Sequence, residues 1–186
     1  MTPHIAVPPH TGSSPLRRLV VLRHAKSAYP DDLPDHERPL AARGRRDAPV
    51  AGRLLAEADC LPDLALCSTA VRARQTWDLA CAQWGTPPPV RHDRRLYAAG
   101  VADLLAVVQE VSPEVATLLL VGHNPGLEEL VLALAGDGLG DLLEEVGAKF
   151  PTAAAAVLAW HGPGWRDLTP GTARLTDVMV ARGRKD

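Results

Sequence analysis

An arginine and a histidine, Arg23 and His24, follow directly on the apolar run LVVL at 19–22. Two more such residues lie far along the chain: Arg72 in CSTAVRARQT (67–76) and His123 in VGHNPGLEEL (121–130), each again just past a short apolar run. Arginine gives planar, bidentate, permanently charged recognition of a phosphoryl group. A neutral imidazole nitrogen can attack phosphorus and carry the group covalently. Cationic groups around it neutralise the equatorial oxygens in transit, which is most of what phosphoryl transfer requires. Each residue alone has an ordinary explanation: Arg23 and His24 as solvated loop residues, Arg72 as a surface arginine near Asp78, His123 as a turn histidine. Only convergence in space makes them a site.

The elements that must position them are readable from periodicity. Residues 18–22 (RLVVL), 63–67 (DLALC) and 117–121 (TLLLV) read as buried strands. A helix over 45–58 turns Ala51, Leu55 and Ala58 to one face, with Pro49 tolerable only near its first turn. A helix over 70–84 stacks Ala73, Trp77, Ala80 and Trp84, and Gly85 with TPPP ends it. GVADLLAVVQEV (100–111) repeats the pattern with Val101, Leu104, Leu105, Val108 and Val111. PGLEELVLALAG (125–136) turns Leu127, Leu130, Val131 and Leu134 inward, with Gly136 as its stop. AAAAVLAW (153–160) and ARLTDVMVA (173–181) read as two weaker strands, and no internal repeat is present.

Strands alternating with helices imply an α/β fold, a three-layer α/β/α sandwich around a mainly parallel sheet. In such a sheet ligands bind beyond the C-terminal strand ends. Arg23, His24, Arg72 and His123 all sit at such ends, so the fold predicts their convergence. Asn124 is suited to N-cap the helix after it with Pro125 at N1, which sets His123 beside amides that favour an anion. Ser68 or Thr69 can cap the helix that carries Arg72 in its first turn, and helical side chains lean back toward the N-terminus. Lys26, Arg38 and Asn124 are further candidate ligands of the bound group.

With 186 residues the chain is long enough for one well-cored domain, expected over 17–186. Residues 1–16, rich in proline and small residues, read as a disordered leader and not as a signal peptide, so His4 and His10 are not expected to hold metal. A content of 46% hydrophobic and 23% charged residues is that of a soluble globular protein. The net charge of −2 points to neither a nucleic-acid nor a membrane partner, and no apolar run approaches ~20 residues. Cys60, Cys67 and Cys81 are odd in number and form no C-x-x-C pair, which reads as small core residues in a reducing cytoplasm. There is no P-loop, no H-E-x-x-H and no acidic cluster, so neither metal nor cofactor is expected. A monomer is expected.

RHAKS (23–27), DHERPLAARG (35–44), CSTAVRARQT and VGHNPGLEEL together resemble the histidine phosphatase superfamily, and within this phosphoglycerate-mutase-like family the SixA-type phosphohistidine phosphatases. The resemblance spans residues 17–181 with the motifs in family order. It implies a phosphoglycerate-mutase-like fold, His24 as nucleophile, and Arg23, Arg72 and His123 as phosphate ligands. The chain departs from the family in two places. Ala25 replaces the usual glycine after the Arg-His pair, as is common in the SixA-type group. Many members carry a glutamate general acid three residues before an aromatic. Counted from Tyr97 that position is Arg94, with Asp93 one residue earlier.

The missing acid bears on the substrate. An alkoxide leaving group needs a proton in flight. A phosphorylated histidine can leave as neutral imidazole, with its proton on the other ring nitrogen. The expected activity is therefore metal-independent hydrolysis of phosphohistidine on a protein, through phospho-His24. Asp93, Glu128 and Glu129 remain candidate acids, and a phosphomonoesterase for small metabolite or sugar phosphates is the alternative within the class. A phosphate-binding module without turnover is the alternative outside it. Arg38 and Arg43 either frame the mouth of the site or, more simply, pair with Asp35, Glu37 or Asp47 to order a long loop. With no long insertion between strand and helix, an open mouth is expected.

Overall fold

The computed structural model describes residues 14–184. Most of the leader expected at the N-terminus, His4 and His10 included, lies outside them. Seven strands form one sheet: β1 (Leu16–Arg23), β2 (Leu64–Ser68), β3 (Val90–Asp93), β4 (Thr117–Gly122), β5 (Ala135–Gly138), β6 (Ala154–His161) and β7 (Ala173–Val180). Their order is β3-β2-β4-β1-β6-β7-β5. The pairings among β3, β2, β4 and β1 are parallel, as is β7 with β5, while β6 runs antiparallel to both β1 and β7.

Five helices cover the two faces: α1 (Ala42–Glu57), α2 (Val71–Cys81), α3 (Val101–Gln109), α4 (Gly126–Leu134) and α5 (Leu142–Ala148). Alternation along each strand divides the core in two. Val20 and Leu22 of β1 join Leu119 and Val121 of β4 against Ala51 and Leu55 of α1 and Ala73 and Trp77 of α2. Leu19, Val21, Leu118 and Leu120 face the other way, onto Leu104 and Val108 of α3 and Leu127, Leu130, Val131 and Leu134 of α4. The central strands are buried on both faces, hence their unbroken apolar runs. This is the three-layer α/β/α sandwich that the pattern predicts. Cys60, Cys67 and Cys81 are buried within it as free thiols. Among the described residues no helix is long and apolar enough to cross a membrane.

Several boundaries differ from the sequence reading. β1 starts at Leu16, inside the stretch read as leader. α1 starts at Ala42, which places Pro49 in its interior. The missing N–H there costs one intrahelical bond, and the helix continues because Ala48, Ala51 and Leu55 bury a face against the sheet. α2 ends at Cys81, yet Trp84 beyond it stays buried, its indole N–H donating to Gly52 O at 2.8 Å. Gly136 is not a helix stop: α4 ends at Leu134 and Gly136 lies in β5. A Cβ at Gly136 would come within 2.2 Å of Gly171 O, so close approach of backbone explains that glycine. β3, β5 and α5 have no counterpart in the sequence reading.

Candidate active site

β1, β4 and β2 are adjacent and parallel, with Arg23 opposite Gly122 and Cys67 opposite Val121. Their C-terminal ends therefore open onto one place. There, Arg23, His24, Arg38, Arg72, Tyr97 and His123 line a cavity of about 340 Å³, together with Lys26 and Asn124. The His24 and His123 rings lie 5.1 Å apart between centroids. The four residues expected to converge do so, and the three further candidate ligands share the cavity with them.

Local bonds fix each group. His24 N donates to Gly122 O at 3.0 Å, and Ala25 N donates to Thr76 Oγ1 at 3.0 Å. Ala153 holds a left-handed backbone (φ 59°) and shares its N–H between the carbonyls of Arg23 and His24. That strained conformation pins the end of β1 under the cavity. The His24 ring nitrogen Nδ1 lies 2.7 Å from Ala25 O, a carbonyl that can only accept, so the proton of the neutral ring sits on Nδ1. Nε2 keeps its lone pair. Ser68 Oγ accepts from Ala70 N and lies 2.8 Å from His123 Nε2. His123 Nδ1 is buried without a partner.

Burial, with the nearby guanidinium charges of Arg72, Arg23 and Arg38 adding to it, lowers the His24 pKa from 6.5 to about 4. Burial and the neighbouring His24 and Arg72 lower that of His123 to about 3. Both rings are neutral at physiological pH. Protonation of His24 removes the Nε2 lone pair, so any activity that uses it is expected above the folded pKa and is expected to be lost as pH falls through it. The acid limb of kcat/KM, corrected for ionisation of the substrate, is expected at about pH 4 and not near 6.5. An enzyme-derived limb near 6.5 would mean that His24 titrates as a solvated imidazole.

The guanidiniums present unsatisfied donors. Arg23 Nη1 donates to Phe150 O at 2.8 Å, but its Nε has no partner. Arg72 gives both Nη groups to Asp35 and leaves Nε unpaired, and Arg38 leaves Nε and Nη1 unpaired. Buried polar groups are normally paired. Unpaired charged donors around one cavity make a site that an anion completes.

Other candidates are placed elsewhere. Asp93 ends β3 one strand farther out, does not line the cavity, and is bound by the Arg95 guanidinium at 2.8 Å. Glu128 accepts from Asn124 Nδ2 at 2.9 Å on α4, and neither it nor Glu129 lines the cavity. Asn124 does not cap α4: its amide is spent on Glu128 and on Phe150 O, and the helix opens at Gly126 without a side-chain cap. Neither Ser68 nor Thr69 is the α2 cap residue. That position is Ala70, while Ser68 is drawn to His123 and Thr69 to His36. Arg38 and Arg43 do pair with Asp35 and Asp47, at 3.0 and 3.2 Å.

The mouth is less open than expected. The segment after β1 is closed at its base by Ala28 N to Pro39 O and Ala41 N to Lys26 O, and brings Tyr29, Asp35 and Arg38 onto the cavity. Asp35 is the residue sequence reasoning undervalued. Its carboxylate accepts from Tyr97 Oη at 2.6 Å and from Arg72 and Arg38. The Tyr97 hydroxyl first, then the two guanidiniums, hold its pKa down at about 2. The signal for it was its spacing from Arg38. Nothing in the sequence marks the Phe150 carbonyl, which receives both Arg23 and Asn124.

Two histidines and three arginines thus share one pocket at the strand ends of the parallel part of an α/β sheet. Residues 19–104 match the family model of the histidine phosphatase superfamily (branch 1). The chain is 32% identical to a proposed phosphohistidine phosphatase SixA from Nakamurella multipartitia, over 91% of this chain and 99% of that one, with a TM-score of 0.80. A second such protein, from Agrobacterium tumefaciens, is 30% identical over 88% and 98% of the two chains, with a TM-score of 0.73. An uncharacterised protein of Mycobacterium tuberculosis is 46% identical over 114 residues, 61% of this chain and 70% of that one. The chain belongs to the histidine phosphatase superfamily.

Proposed function

We propose that the protein is a metal-independent phosphatase that hydrolyses phosphohistidine on a protein through a phosphoryl group carried on His24 Nε2. The observation that carries the substrate class is the state of the cavity's acid. Asp35 is the one carboxyl group among the described residues that lines the cavity, and it is held ionised down to about pH 2. A site whose carboxyl group has no proton to give suits a leaving group that brings its own.

His24 Nε2 attacks phosphorus as the bond to the substrate imidazole breaks, and that imidazole departs neutral, its proton already on the other nitrogen. The new phospho-His24 keeps the Nδ1 proton on Ala25 O. The bond broken and the bond formed are thus nearly equivalent, and the first step is close to balanced. Water then attacks phosphorus, His24 leaves as the neutral ring it was, and the proton from water goes to the released phosphate. Arg23, Arg72 and His123 supply charge and donors to the equatorial oxygens throughout. Lys26, Arg38 and Asn124 fit as further contacts at the mouth. The charge comes from guanidinium groups, and among the described residues no three His, Cys, Asp or Glu side chains gather to hold a metal ion.

A leaving-group series tests this reading. A synthetic phosphohistidine peptide is expected to be cleaved with kcat/KM at least ~10²-fold above an alkyl phosphate, with aryl phosphates between, since a general acid is worth ~10²–10⁴-fold where the leaving group needs one. Activity is expected to survive EDTA. Equal rates on alkyl and aryl esters would require a general acid and restore the small-metabolite phosphatase. One burst of phosphate without steady turnover would instead mark a binding module.

A further inference from the structure

Beside the catalytic cavity runs a groove of about 510 Å³ lined by Arg46, Val50, Arg53, Arg182, Gly183 and Arg184. Arg46, Val50 and Arg53 follow one another along a single face of α1 at helical spacing. The opposite wall is the segment after β7, which is fastened in place. Gly183 N donates to the buried Asp47 Oδ1 at 2.8 Å, and a Cβ at Gly183 would lie 2.5 Å from Arg46 O. Only glycine lets this backbone lie so close to α1, and that contact brings Arg182 and Arg184 alongside Arg46 and Arg53.

Among the described residues the four guanidiniums form no ion pair. Arg38, Arg43, Arg95 and Arg174 each meet a carboxylate. Among the described residues none of the four groove arginines does. Arg53 donates to the neutral Gln83 Oε1 at 2.9 Å, Arg182 to the backbone carbonyls of Thr152 and Ala181, and Arg46 Nε is buried with no partner. Four guanidiniums gathered beside the single buried carboxylate of Asp47 leave an excess of positive charge that favours a counter-charge. It lies on a chain of net charge −2, so it is a local concentration and not an overall bias.

Arg182 ties the groove to the rim of the catalytic mouth. Arg182 Nη1 donates to the carbonyl of Thr152, which lines the catalytic cavity. Ala181 N donates to Ala153 O, and Ala153 N is the donor to the Arg23 and His24 carbonyls. A substrate chain whose phosphorylated side chain enters the cavity must cross one of its rims, and this rim is the arginine groove.

We propose that the groove docks an acidic segment of the phosphoprotein substrate, flanking its phosphohistidine, which makes carboxylate-rich sequence a specificity determinant. This rests on the phosphohistidine reading above. An extended peptide can set carboxylates against guanidiniums on both walls, with an apolar contact at Val50 between them. Rim charges of this kind act on encounter rate and salt dependence.

The test uses the full chain and a phosphohistidine peptide flanked by glutamates, its twin with glutamines, and an aryl phosphate. Wild-type kcat/KM is expected to favour the acidic peptide by roughly tenfold at low salt, with the preference fading as salt rises. In Arg53→Glu/Arg184→Glu the preference is expected to vanish while aryl phosphate hydrolysis is unchanged. Equal rates on the two peptides in the wild type, or a preference that survives in the variant, would overturn the proposal and leave the phosphohistidine reading intact. Failure to cleave either peptide while cleaving the aryl ester would overturn that reading instead. The groove is then judged by fluorescence anisotropy with an unphosphorylated labelled oligoglutamate. Wild-type binding that weakens about tenfold in the variant supports an acidic peptide site. Equal binding, or tighter binding of a single-stranded oligonucleotide, refutes it.

Discussion

His24→Ala is expected to lower turnover by ~10⁴-fold or more, as loss of an essential nucleophile does, and wild-type enzyme denatured in mid-reaction is expected to carry acid-labile, base-stable phosphate on His24. The argument is geometric. Ala25 O claims Nδ1, so Nε2 is the basic nitrogen, in a cavity whose other walls, the Asp35 carboxylate apart, are cationic or neutral. The pKa of about 4 keeps that nitrogen unprotonated at neutral pH without any neighbouring base. The ring makes a single hydrogen bond to the protein, through Nδ1, so the variant is expected to keep its fold, as thermal melting would report. Phosphate recovered on a serine or an aspartate instead, such as Asp35 of the cavity wall, would overturn His24 as the nucleophile.

The parts of this site legible in the sequence were those written by strand ends. A buried parallel strand needs an unbroken apolar run, and LVVL and TLLLV have one. Once those strands are adjacent, the residues that follow them must meet, and Arg23, His24 and His123 do. Arg72 was reachable by helical phase. Contacts that depend on a loop's path were not legible. Asp35 reaches Arg72 across 37 positions and Tyr97 across 62, through a segment with no periodicity to read. The edge strands escaped for a related reason. β3, VRHD, and β5, AGDG, pair on one side only and lack an apolar face, so neither carries the burial signature that betrays a central strand. The capping role assigned to Asn124 failed because a stronger demand existed. Its amide bonds the Phe150 carbonyl, from a segment that local sequence cannot place.

Arg72 carries the second large effect. Its guanidinium is nearly buried, held over the cavity by the first turn of α2, and in this structure it grips the Asp35 carboxylate. A bound phosphoryl group offers the same donors a closer match in charge and geometry. Arg72→Ala is therefore expected to lose ~10²–10³-fold, chiefly in kcat, because charge on the transferring oxygens is greatest in flight. Arg72→Lys keeps the charge but not the planar fork and is expected to recover only part of the rate. His123→Ala, which removes a neutral donor, is expected to lose ~10²-fold. A structural role would produce similar losses if Arg72 served only to hold the loop through Asp35. Asp35→Asn separates the two: it weakens that grip while leaving the guanidinium in the cavity, and it removes an anion that competes with phosphate. If Arg72 binds phosphate, Asp35→Asn keeps most of the rate and lowers KM. If Asp35→Asn falls as far as Arg72→Ala, the arginine positions the loop and does not touch the substrate. Near-wild-type kcat in Arg72→Ala would remove it from the site altogether.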